Sequence, residues 1–74
     1  MSEFVLIEYA GRTSTRTTVY YTPLATMKRR ATLALKDRLD KVVIMDSYQD
    51  WSRSRGDTKW VMTQQDTPAR MGRR

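Results

Sequence analysis

The sequence predicts a small α+β domain with the order β-β-α-β-β, in which one helix packs on a mostly antiparallel sheet. Three observations support this fold class: a β-rich N-terminal segment, one segment with helical apolar spacing, and two β-rich segments after it. One helix over one sheet face is the simplest way to bury both apolar surfaces. With 74 residues the chain holds a single domain, because a second would leave neither half a core.

The first two strands are predicted over Glu3–Tyr9 and Arg16–Tyr21. The first has apolar side chains on both faces, which is typical of an interior strand. The second is rich in Thr, Val and Tyr, residues that suit a pleated sheet. Gly11 lies between them in a short polar segment, so the pair is predicted to form a hairpin.

A helix is predicted from Leu24 to about Asp40. Thr22 and Pro23 indicate its start, because Thr caps free N–H groups and Pro suits the first helical position. Helical spacing places one set of side chains in the buried arc, with Leu39 at its border: Leu24, Met27, Ala31, Ala34, Leu35 and Arg38. The opposite side is predicted to face solvent and holds Thr26, Arg29, Arg30, Leu33, Lys36, Asp37 and Asp40.

Two further strands are predicted over Lys41–Tyr48 and Thr58–Gln64. The polar stretch Gln49–Asp57 between them is predicted as a loop, closed by a turn at its Gly-Asp end. Residues 66–74 have little to bury and are predicted to form a flexible, disordered basic tail. The compact domain is therefore expected to span residues 1–65.

The composition excludes several kinds of chemistry. The chain has no Cys and no His, which excludes disulfides, thiolate zinc sites and nucleophile–His pairs. Its carboxylates show no spacing typical of an acid–base pair, so we expect no enzyme activity, no metal and no cofactor. No apolar run approaches the ~20 residues of a membrane span. The N-terminus lacks the basic segment of a secretory signal, so we expect a cytoplasmic protein without a membrane partner.

The net charge of +6 is concentrated on the helix and the tail. The densest run is Lys28-Arg29-Arg30, which indicates contact with a phosphate backbone or an acidic protein surface. A solvated helix face is the alternative explanation of such a run. Leu33 lies on the same side of the helix. A lone exposed Leu is ordinary, but one flanked by cations is also typical of a docking helix.

The predicted loop and tail supply further candidate contacts. Trp51 beside Arg53 and Arg55 resembles an interface anchor, because Trp and Arg dominate binding hot spots. Four aromatic residues suit either base stacking or packing within the domain: Tyr20, Tyr48, Trp51 and Trp60. In the tail, the candidate partner contacts are Arg70, Arg73 and Arg74.

In size, basic charge, compact α+β organisation and Arg-rich end, the chain resembles small phage-encoded proteins that bind host enzymes, RNA polymerase among them. Lys28-Arg29-Arg30 and Arg70–Arg74 carry this resemblance. It implies a transcription regulator or inhibitor that acts by contact in the host cytoplasm. Two hypotheses follow. The first is docking on a larger protein of the nucleic-acid machinery. The second is direct, largely sequence-independent binding of DNA or RNA by the helix face, loop and tail.

Overall fold

The computed structural model describes residues 3–64 as one antiparallel sheet and one helix. The elements in chain order are β1 (Glu3–Ala10), β2 (Thr13–Tyr20), α1 (Leu24–Asp37), β3 (Lys41–Met45), β4 (Gln49–Ser54) and β5 (Val61–Gln64). The strand order is β2-β1-β3-β4-β5. The α+β class with one helix on an antiparallel sheet is thus confirmed. The predicted tail, residues 66–74, lies outside the described residues.

The β1–β2 hairpin turns within two residues. Ala10 pairs with Thr13, and Gly11 has a φ of +62°, a conformation that glycine adopts without strain. β1 lies between β2 and β3, as its two apolar faces predicted. β2 begins at Thr13, before the predicted Arg16, because its polar first half carries no apolar pattern that could show a strand.

The helix begins at Leu24 as predicted, but its capping residue and its end differ from the prediction. Pro23 is the N-cap, and its carbonyl accepts hydrogen bonds from the N–H groups of Thr26 and Met27 at 3.1 Å. The predicted cap at Thr22 is wrong, since its hydroxyl donates instead to the Tyr20 carbonyl at 3.3 Å. The helix stops at Asp37 because the last turn closes there. The N–H groups of Arg38 and Leu39 both bond to the carbonyl of Ala34, at 2.8 and 3.0 Å.

The core lies between α1 and one face of the sheet. Met27, Ala31 and Leu35 are the buried residues of α1, as predicted, whereas Arg38 of the predicted arc is exposed because the helix ends at Asp37. α1 packs mainly on β3. The fully buried side chains are Leu39, Val42 and Ile44. Within residues 3–64, the single helix is too short and too polar to cross a membrane.

The predicted loop Gln49–Asp57 is wrong, because residues Gln49–Ser54 form β4 between β3 and β5. The preceding strand ends at Met45 and not at Tyr48. A turn follows it, in which the Asp46 carboxylate accepts the N–H groups of Tyr48 and Gln49, each at 2.7 Å. β4 holds a single large apolar residue, Trp51, so the sequence shows no apolar alternation there.

Aspartate side chains hold two turns of the sheet, the turn after β4 and the turn between β1 and β2. At the close of β4, the Ser54 N–H donates to the Asp57 carboxylate at 3.0 Å, and Gly56 has a φ of +92°. This confirms the predicted turn. Asp40 joins three segments: its carboxylate accepts the Gly11 N–H at 2.6 Å, its N–H donates to Tyr9, and its carbonyl accepts from Arg55.

Candidate functional site

The solvent side of α1 presents one apolar side chain among cations. Leu33 is 63% exposed. Arg29, Arg30 and Lys36 are also exposed and lie four before, three before and three after it, which makes them its neighbours on the helix surface. Within residues 3–64, the side chains of these three cations make no hydrogen bond and no ion pair. We call Arg29, Arg30, Leu33 and Lys36 the outer face.

Lys28 belongs to the side of the helix and not to the outer face. Its Nζ lies 5.7 Å from the ring centroid of Trp51 and 5.9 Å from that of Trp60. A cation over an indole ring contributes about 0.5–1 kcal/mol at exposed sites and about 2 kcal/mol where water is excluded. Lys28 is half-buried. This predicted partner contact therefore also covers the aromatic edge of the core.

Trp51 is a core residue and not an exposed anchor. It is only 8% exposed, and its ring meets that of Phe4 edge-on at 6.3 Å. The reason is the β4 strand, whose register places Trp51 opposite the buried Ile44. Of the two explanations for this aromatic, packing within the domain is the one the structure supports. A partner cannot reach the ring, so the outer face is defined without it.

Arg53 and Arg55 tie β4 and its turn to the helix. The Arg53 guanidinium donates to the Asp57 carbonyl at 3.0 and 2.8 Å, and to the Thr32 hydroxyl at 3.2 Å. The Nε of Arg55 donates to the carbonyl of Leu39 at 3.1 Å, just beyond the end of α1. Both side chains therefore have a structural role, which the sequence did not show because it depends on β4.

These two arginines and Lys36 line one cleft between α1 and the turn after β4. The cleft has a volume of about 200 Å³, and its remaining lining includes Thr32, Leu35 and Asp57. Lys36 belongs to both the outer face and the cleft, so the two are continuous. The structure thus brings four predicted site residues, Arg29, Arg30, Arg53 and Arg55, together with Lys36 in one basic surface. The predicted tail contacts lie outside the described residues.

A second groove lies on the other side of the helix, between α1 and the β1–β2 hairpin. It has a volume of about 210 Å³ and a largely apolar lining that includes Leu6, Val19 and Met27. Arg30 and Arg38 also line it, which links the groove to the outer face. Sequence reasoning missed it, because the gap arises where the helix packs on β3 and leaves β2 uncovered. That depends on strand order.

In residues 3–64, no three His, Cys, Asp or Glu side chains come together to hold a metal ion. Comparison with protein-family models, with curated proteins and with solved structures found no match.

Proposed function

We propose that this chain is a non-enzymatic binding protein that docks through the outer face on a larger protein of the nucleic-acid machinery. The observation that carries the proposal is the position of Leu33, 63% exposed on α1 between three cations whose side chains have no partner among residues 3–64. An apolar centre with a charged rim is the usual anatomy of a protein interface. Cations around that centre favour an acidic partner surface and steer it during encounter.

Two features favour contact with a macromolecule over binding of a small molecule. The cleft and the groove beside α1 have volumes of about 200 and 210 Å³, below the ~300 Å³ at which small-molecule pockets begin. Both open onto the outer face, so they enlarge one continuous surface. RNA polymerase is the first partner to test, since the resemblance to phage-encoded regulators implies it, with inhibition or regulation of transcription as the consequence.

The test is a pull-down from bacterial lysate, treated with nuclease and washed at high salt, followed by titration against purified bacterial RNA polymerase. Arg29→Glu combined with Leu33→Ala removes one cation and the apolar centre of the outer face. We expect this double variant to lose at least tenfold in affinity. Lys41→Glu combined with Tyr48→Ala is the matched control. It removes an exposed cation and an aromatic that is 66% exposed elsewhere, and it should bind within twofold of the parent chain.

Unchanged binding by the outer-face variant would show that the partner uses another surface. Loss of all captured protein with nuclease or salt would instead favour a second candidate function, direct binding of DNA or RNA. The cleft is the observation that favours this second candidate, because Lys36, Arg53 and Arg55 converge there. Convergent cations are how proteins neutralise a phosphate backbone.

A further inference from the structure

In the part of the chain that the structure describes, no strand or helix covers the outer edge of β2. It has eight residues, and all except Val19 are exposed. Natural edge strands are usually shielded by Pro, Lys, a bulge or a covering helix. β2 has no Pro and no Lys, and Arg16 is its only charged residue. α1 packs on β3 and leaves this edge open.

The pairing of β2 with β1 shows which backbone groups of the edge are free. In a two-residue hairpin the flanking residues, here Ala10 and Thr13, form a hydrogen-bonded pair. The carbonyl of Tyr9 points the other way, since it accepts from the Asp40 N–H at 2.7 Å. The direction of the backbone N–H and C=O groups alternates along the strand. These groups therefore point away from β1 at four residues of β2: Ser14, Arg16, Thr18 and Tyr20.

We propose that β2 pairs with β2 of a second copy of this chain, antiparallel, about a two-fold axis at Thr17. In this register Ser14 pairs with Tyr20 of the second copy, and Arg16 pairs with Thr18. All four outward residues on each strand are used, which makes about eight backbone hydrogen bonds. The result is a dimer with one continuous sheet. This assembly does not depend on the proposed docking function.

Charge and backbone pairing select the register. An axis at Arg16 would place two guanidinium groups directly opposite each other, which is destabilising. An axis at Thr18 leaves Ser14 unpaired. The axis at Thr17 avoids both and places two Thr side chains face to face, a favourable cross-strand pair. Since each copy carries a net charge of +6, β2, with one charged residue, opposes association less than the face of α1, which has four basic residues.

Two exposed tyrosines at the end of β2 also favour pairing with a second copy of this chain. Tyr20 and Tyr21 are 55% and 73% exposed, and their ring centroids are 6.3 Å apart. Tyr21 has a φ of +58°, an unfavourable conformation for a non-glycine residue. In the proposed register these rings lie beside the Gly11 hairpin tip of the second copy. Pairing therefore also removes exposed aromatic surface from water.

The first experiment is site-specific crosslinking, for which the chain is well suited because it has no Cys. Thr17→Cys places two sulfurs at the axis, where Cα atoms of a non-hydrogen-bonded pair lie about 4.5 Å apart, within disulfide range. Ser14→Cys is the control, because its two copies lie about 20 Å apart. We expect the Thr17→Cys chain to crosslink more than tenfold faster under mild oxidation. Equal rates for both variants would overturn the proposal.

The second experiment measures mass in solution by light scattering or sedimentation across a concentration series. We expect the parent chain to approach twice its mass of 8.7 kDa, and more readily at high salt, where repulsion is screened. Thr18→Pro removes an outward N–H and should weaken the dimer at least tenfold, whereas Thr18→Val keeps that N–H and should dimerise normally. A parent chain that stays monomeric, or a proline variant that dimerises equally well, would contradict the pairing.

Discussion

Single polar side chains hold the ends of the strands in this molecule. Arg53 joins the turn after β4 to the helix through Thr32, and Arg55 holds the chain just beyond the helix end. The Asp40 carboxylate holds the β1–β2 turn by accepting the N–H of Gly11. Charged hydrogen bonds of this kind are worth more than neutral ones when they are shielded from water. The bonds of Arg53 to Thr32 and of Arg55 to Leu39 are part-buried, so they should contribute more than the exposed bonds of Asp40 and Asp57.

Asp40→Ala should therefore destabilise the domain by about 1–2 kcal/mol, because it removes the carboxylate that accepts the Gly11 N–H. The two backbone hydrogen bonds of this residue remain in the variant. Asp40→Asn keeps an acceptor oxygen and should lose less than half as much. Urea unfolding followed by circular dichroism measures both changes. Equal stability of the alanine variant and the parent chain would show that the turn needs no carboxylate.

At the scale of elements, the sequence predicted what apolar periodicity can show. α1 and β3 have strong apolar patterns, and the two apolar faces of β1 correctly predict an interior strand. The sequence does not predict β4, because its only large apolar residue, Trp51, has polar neighbours on both sides. Asp46 is a sequence signal for the turn between β3 and β4, because Asp side chains often close turns. Here its carboxylate accepts the N–H of Gln49 at the start of β4. Strand order and the groove beside β2 depend on tertiary packing, which no local pattern encodes.

The placement of β4 leads to a prediction about Trp51 and Leu33. Trp51→Ala should cost about 3–5 kcal/mol, the usual range for a buried aromatic. A domain of this length has a free energy of unfolding of about 4–11 kcal/mol, so the variant should unfold at a much lower temperature than the parent chain. Trp51→Phe keeps most of the packing and should remain folded. Leu33→Ala, on the outer face, should change stability by less than about 0.5 kcal/mol.

Thermal unfolding by circular dichroism separates these cases. A Trp51→Ala chain as stable as the Leu33→Ala chain would contradict the core position of the indole. A large loss from Leu33→Ala would show that the outer face stabilises the fold as well as presenting a binding surface.

At the scale of the whole molecule, the two sides differ in charge. α1 carries four basic residues and one acidic residue. The register of the sheet places two acids and two bases on the opposite, open face: Glu3, Asp50, Arg16 and Lys41. The positive potential is therefore directed outward from the helix side. Pairing through β2 would place two such helix sides on one particle and raise its avidity for a repeated acidic surface.

This asymmetry makes salt dependence the measurement that separates the two candidate functions. If the surface neutralises about four phosphates of duplex DNA, affinity should fall about 100-fold between 50 and 200 mM salt. A protein complex centred on Leu33 keeps its apolar contact at high salt, so we expect its affinity to fall less than tenfold. Fluorescence anisotropy with labelled duplex and with labelled partner, over the same salt series, gives both slopes. Leu33→Ala serves as the internal control: it should weaken the protein complex and leave DNA binding unchanged. Steep loss of both complexes with salt, with no effect of Leu33→Ala on either, would favour phosphate recognition over docking.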